Sequence, residues 1–538
     1  MRISILAIAS ALAITLSAQS VTDNAIKKDF QGTPCEAIYN YIDESVVRHA
    51  DGSTDHRVSF SLTLYTHTAM NSTYGQTFVT YNPMFQSLHI DTAYTVRRGG
   101  KRIDMPENAV IEVLPSWATK ASDFNHLREA VIVHTGLDLG STIHLTYTLH
   151  SRPGFNKNFD FIGEFDRTSP ILSRKLTIQV PKGEKLRFAL YGQGGEIVPN
   201  NDDFIEENRV ITYVGNDIPA RSRDSWQVRS VQHKWTWMTT LSDTKTELAD
   251  FIQQSADPDI TAWGAALVEN EPDINQREKA VREQGVLRHQ NVKIPYNLVE
   301  QTRSFSQIKN CGYIAPWERA VLLCQMLNDC HIQASPAMVF PASMPKAFRV
   351  PANATSFAII ERKNQRPRVL KAEDLTPLYG KDIAVEALDT SFVISSQPIT
   401  THTKRNLTAK TVDQKQDYLI LGLPANRNGA EGWDYSPWPS QRQTDIEIPA
   451  ILNEADTFLI HVDKDLVCTS RIDTLITSST GARLQQSLTH LNDSTLMAVR
   501  MLSLPKKIYN PTEYPELREI LNTWISPSQT RLLFVRKH

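Results

Sequence analysis

The chain has 538 residues, with 57 Lys+Arg against 59 Asp+Glu and a formal net charge of −2. That balance excludes the basic footprint of a nucleic-acid or anionic-lipid binder, and 41% hydrophobic with 22% charged residues excludes a disordered or collagen-like chain. At roughly 100–200 residues per domain the length fits about three or four units, and 28 Pro against 22 Gly favours short, proline-ended strands.

Met1 and Arg2 precede an apolar run from Ile3 to Leu16, then Ser17-Ala18-Gln19-Ser20. Residues 1–20 therefore read as a cleaved signal peptide, because the run is too short to span a bilayer. No cysteine follows to carry a lipid, so the mature chain is expected in the periplasm or secreted, with no integral membrane segment. Five cysteines are too few for a disulfide scaffold. Cys311 with Cys330 is one pairing the spacing permits, and others stay open. No CxxC or HExxH occurs, so neither a metal nor another cofactor is expected.

Residues 21–239 carry apolar side chains at period two: Val58, Phe60, Leu62, Leu64; the odd positions from Ile143 to Leu149; Leu176, Ile178, Val180. This predicts antiparallel strands in a β-sandwich-like domain. Tyr147, Trp235 and Trp237 fall on its core side, and His144, Thr146, Thr148 and His150 on its wet side. Histidines six apart on one strand lie about 20 Å from each other, too far to share a metal.

Across 240–400 the period becomes helical. Ser242 or Asp243 is a candidate N-cap before Leu248, Ala249, Phe251 and Ile252, and Asn275 to His289 is charged and helix-permissive. The best helix follows Pro316, with Ala320, Leu323, Cys324 and Leu327 on one face. Ala337 to Phe340 and Phe357 to Ile360 then read as strands, giving a compact α+β domain. Residues 401–538 form a third, β-rich unit, with strands at Tyr418–Leu421, Thr457–Val462, Leu496–Leu504 and Arg531–Arg536. Its one helix follows Pro511 and turns Leu517, Ile520, Leu521 and Trp524 to one side. The predicted class is α+β multidomain.

Three stretches, in this order, carry a family resemblance. The first comprises Tyr94-Thr95-Val96 through Gly100, Val113-Leu114-Pro115, Arg128-Glu129, Gly136-Leu137 and Gly140-Ser141 to Tyr147, then Phe165-Asp166-Arg167 with Pro170 and Val180-Pro181. It resembles the domain of unknown function that precedes transglutaminase-like cores in exported proteins of Gram-negative bacteria. Arg303 to Pro341 resembles the helical half of such a core. Leu504-Pro505-Lys506-Lys507, Glu513-Tyr514 and Leu517-Arg518 are similar to the family's C-terminal β-domain.

The resemblance implies a cysteine at the N-terminus of the central helix, where free N–H groups and the dipole stabilise a thiolate. It also implies a histidine base on a following strand and an orienting Asp or Asn. Aligned on Ala320-Val321-Leu322-Leu323, the cysteine position falls on Pro316, and no histidine lies between Ile332 and Thr401. Thr355 and Ser356, which precede the strand where the base belongs, titrate too far from neutrality to replace imidazole. The expected function is therefore non-catalytic binding or scaffolding of an envelope protein, peptide or glycan by a degenerate core. The alternative is an active cysteine acyl-transfer enzyme with Cys311 as nucleophile, His402 as base and Asp389 orienting it. A third candidate surface is the loop from Gly429 to Pro439, whose Trp433, Tyr435 and Trp438 would either stack on a sugar or partner or anchor the loop.

Overall fold

The computed structural model describes residues 28–538 except 31, 33, 193–194, 229–234, 255–257, 285–288, 300–302, 364–365, 377, 379–381, 395–396, 411–416, 434–437 and 538. The expected signal peptide, residues 1–20, lies outside the described residues. Strand makes up 45% and helix 20%, so period-two patterning governs most of the chain.

An eight-stranded sheet is built around Ala37–Arg48, which runs antiparallel to Thr54–Leu64 and parallel to Ile171–Pro181. Its alternating apolar residues (Ile42, Val46, Leu176, Ile178, Ile211) share one core with Leu190 and Trp237 of a four-stranded sheet. Burying each such side chain stabilises by about 1.5–3 kcal/mol. Trp237 fits because it faces Gly163 across the strand pair; a Cβ there would collide with the indole. The wet face expected for Thr142–Ser151 needs one correction. Thr146 is buried, its hydroxyl 2.8 Å from that of Ser59 on the adjoining strand, and the paired hydroxyls offset the loss of water. His144 stacks on Tyr94, and His150 bonds Asp55 at 2.7 Å.

Five helices lead into the central sheet: α1 (Thr244–Gln254), α2 (Pro258–Val268), α3 (Ile274–Gln284), α4 (Phe305–Cys311) and α5 (Pro316–Asp329). Pro316 is the first residue of α5, where no backbone donor is needed. Buried residues run all round α5, from Trp317 to Leu327, because the strand Gln333–Pro341 covers one side and α2 and α3 the other. The sheet has five antiparallel strands, ordered Arg366–Lys371, Ser356–Lys363, Gln333–Pro341, Ile383–Glu386, Ser391–Ile394. Ala118, Ala121, Phe124 and Leu127 join the same core, so a segment well before residue 240 completes the central packing. Among the described residues no disulfide forms; Cys324 and Cys330 are buried, and no bridge joins Cys311 to Cys330.

The last region holds a five-stranded sheet centred on Thr495–Leu504, with α6 (Tyr514–Ile525) laying Tyr514, Leu517, Ile520, Leu521 and Trp524 into its core. The segment between the strands Asn208–Ile218 and Thr236–Thr240 docks onto it. Asp224 Oδ2 accepts from the backbone N–H groups of Gln443 at 2.8 Å and Thr444 at 2.9 Å, and the Trp226 ring lies 6.2 Å from Trp433 and 5.3 Å from Trp438. No helix among the described residues is long and apolar enough to cross a membrane.

Removing the Trp226 ring should loosen this junction. Trp226→Ala is expected to lower stability by at least about 2 kcal/mol and to speed proteolytic cleavage between residues 429 and 439, read by urea titration and timed proteolysis. Unchanged values would show that the junction holds without the ring.

Candidate functional site

A cavity of about 680 Å³ lies where the first sheets meet the helices. Its wall is set by local sequence. Asp243 Oδ1 accepts from the Lys245 N–H at 3.0 Å and caps α1. Helical spacing then turns Glu247, Asp250 and Phe251 toward the cavity as neighbours at i, i+3 and i+4. Pro316 opens α5 and leaves Trp317 as the next residue, at the cavity floor.

Three lining rings, Phe251, Tyr296 and Trp317, cluster there with Phe357. Phe251 lies 6.5 Å from Trp317, 5.8 Å from Tyr296 and 5.9 Å from Phe357, and Tyr296 stands edge-on to Trp317 at 5.5 Å. Two carboxyl groups, Asp160 and Glu247, line the same cavity. Asp160 takes the Thr240 hydroxyl, and that hydroxyl accepts from the Ser242 N–H at 3.0 Å. Burial pushes both carboxyls up, Asp160 to about 6 and Glu247 to about 8, the latter helped by the Asp160 charge. The Tyr296 phenol is also raised, by burial first and then by Glu247, Asp160 and Asp250.

The structure does not gather Cys311, His402 and Asp389. Cys311 ends α4, its sulfur 3.0 Å from Arg303 Nη1 and donating to the carbonyls of Tyr313 at 3.1 Å and Ile308 at 3.3 Å. Arg303 is itself engaged by Glu318, at 2.9 and 2.6 Å, and by Asp123 at 3.0 Å. His402 is exposed on the strand Ile399–Ala409, paired opposite Ala455 in the last sheet. Asp389 binds Arg362 at 2.9 Å. Three residues on separate elements, each with its own neighbours, form no relay. Trp433, half-buried, and Trp438, buried, both pack against Trp226; Tyr435 lies outside the described residues. Among the described residues no group of His, Cys, Asp and Glu is arranged to hold a metal.

Asp160, Glu247 and Trp317 carry no sequence motif. Glu247 follows a capped helix start and reads as a dipole-complementing residue, Trp317 reads as core, and only the tertiary fold brings Asp160 to them.

Comparisons with known proteins agree with this layout. Residues 50–222 match DUF3857, a domain of unknown function with a solved structure, and residues 418–534 match a second such domain, DUF3858. No curated protein matches the chain. A crystal structure from Parabacteroides distasonis ATCC 8503, of a protein provisionally named a protease, is 29% identical over 93% of this chain and 99% of that one, with a TM-score of 0.77.

The raised Glu247 has a sign that can be measured. Between the ordinary carboxylate range and about pH 8 the folded protein keeps a proton there that the unfolded chain has released, so stability falls as pH rises through that window. Glu247→Gln mimics the protonated side chain and should match the parent at about pH 5. At about pH 8 it should melt about 2–4 °C higher. Parallel melting profiles for the two proteins would show that Glu247 ionises normally.

Proposed function

We propose that this chain is an exported envelope protein whose transglutaminase-like core binds without catalysing, flanked by a sandwich-like first domain and a β-rich last domain. The occupant of the core would be an envelope protein, peptide or glycan. The observation that carries the reading is the start of α5. The position the family resemblance gives to the nucleophile is Pro316, and Trp317 and Phe357 belong to a ring cluster at the helix end and strand where thiol and imidazole would meet. Glu318 adds to this: its Oε2 accepts the Ala315 N–H at 2.9 Å, so the helix-end charge that would stabilise a thiolate is already answered by a carboxylate.

Two findings support the protease-like ancestry. The two matched domains of unknown function flank the central region, and the Parabacteroides protein provisionally named a protease spans the same three regions. Loss of nucleophile and base together removes orders of magnitude of rate.

Purified parent protein and Cys311→Ala should both leave fluorogenic peptide amides uncleaved, and both should fail to join a primary amine to a glutamine peptide. Turnover by the parent that disappears in Cys311→Ala would overturn the reading in favour of a cysteine acyl-transfer enzyme.

A further inference from the structure

We infer that the first region holds a pocket for a small organic acid with an apolar body, its carboxylate received by Arg167 and by the phenol hydroxyls of Tyr39 and Tyr147. The pocket is built from residues 39 to 167 alone, so it is independent of whether the central core catalyses.

A second cavity, about 300 Å³, lies on the face of the eight-stranded sheet. Its floor follows from period-two alternation. Val58, Phe60 and Leu62 share one face of the strand Thr54–Leu64, and on the two adjoining strands Ile42 pairs with Phe60 and Tyr147 with Val58. Ile42, Val58 and Leu62 are buried. Rings stand over this floor: Tyr39 is edge-on to Phe60 at 5.8 Å and to Tyr74 at 6.0 Å. The Tyr74 hydroxyl is bonded to that of Ser169 at 2.7 Å. Thr77 and His134, joined at 2.9 Å, complete the lining. Burial holds the His134 imidazole down at about 4, so it is neutral at pH 7.

One cation enters this apolar surround. Arg167 is half-buried, and its Nη1 donates to the carbonyls of Glu164 and, at 2.8 Å, Asp166. Its Nε and Nη2 carry no hydrogen bond among the described residues and stay open to water. Those two nitrogens form the edge of a guanidinium that meets a carboxylate through parallel N–H bonds. The neighbouring carboxylates are taken: Glu44 by Arg174 and by His56 at 2.8 Å, and Asp166 by Arg221 at 3.4 Å. The hydroxyls of Tyr39 and Tyr147 likewise have no partner among the described residues and are not sealed from water. Burial raises both phenols, Tyr147 to about 12, with the Arg167 charge acting against it. Both are therefore protonated donors near neutrality, within the field of the guanidinium.

Three sets of open donors thus line one cavity that is otherwise apolar, and an occupant must answer both properties. An ammonium would be repelled by Arg167, and a sugar would leave its charge unmet. Inorganic phosphate would satisfy the donors but not the floor of Val58, Phe60 and Leu62. A carboxylate on a hydrocarbon or aromatic body answers both, and the volume, at the low end for ligand sites, suits a free small acid.

The test is calorimetric titration of the full-length protein at neutral pH with 3-phenylpropionate, 3-phenylpropionamide and inorganic phosphate. The acid should bind, and the amide should bind at least about tenfold more weakly, as expected for loss of a charged hydrogen bond. Arg167→Gln should lose acid binding to a similar extent, and the Tyr39→Phe/Tyr147→Phe double variant several-fold. Should the variants fail to fold, the comparison of acid with amide on the parent protein still decides. Equal binding of the amide, phosphate binding as tightly as the acid, or no binding of the acid would each overturn the inference. None of these outcomes bears on the core, whose reactivity the turnover assay decides.

Discussion

The start of α5 is held by a buried ion pair, and much of the molecule is arranged around it. Arg303 presents two nitrogens to the two oxygens of Glu318, at 2.9 and 2.6 Å, with both side chains almost wholly shielded from water. Burying two charges is costly, and the attraction repays it only when geometry is good and the remaining donors are met. Here they are: Arg303 also serves Asp123 and the Tyr313 carbonyl, and its plane lies over the Tyr313 ring. One guanidinium thus fixes the first turn of the central helix, the end of α4 and a segment contributed by the first region. The position of Trp317, and with it the floor of the cavity, follows from that anchorage.

Around this anchor, local pairings set the ends of elements. The caps of α1 and α4, the Asp224 contacts to backbone N–H groups and the cross-strand hydroxyl pair all match donor to acceptor. At the start of α5 the Glu318 carboxylate meets the Ala315 N–H, and the ring cluster of Trp317, Phe251 and Phe357 packs beside it. The cavity next to them is lined by two carboxyl groups that burial holds above the usual carboxylate range.

Much of this was legible from side-chain periodicity. The alternation of Val58, Phe60, Leu62 and Leu64, the proline before Trp317, and the face of Leu517, Ile520, Leu521 and Trp524 each mark an element that the structure contains. Such signals are local, and the fold follows them. What escaped depends on neighbours far off in the chain. Thr146 looks solvated until Ser59 is placed beside it, and Phe124 looks like a loop residue until the central core closes over it. Asp160 and Glu247 are ordinary acids in the sequence. Their raised hold on protons exists only because the residue just before the strand Phe161–Glu164 and a helix of another region are pressed together away from water.

The parallel pairing of Ala37–Arg48 with Ile171–Pro181 has a bearing on how the chain acquires its shape. Hairpin neighbours can zip as soon as both are made, but this partner is separated by most of the first region, and such distant closures are slow. During synthesis one side of the earliest strand stays open, an edge able to recruit another chain. Holding that edge apart from its own kind until the late partner arrives is a demand on the cell's chaperones that the finished molecule no longer displays.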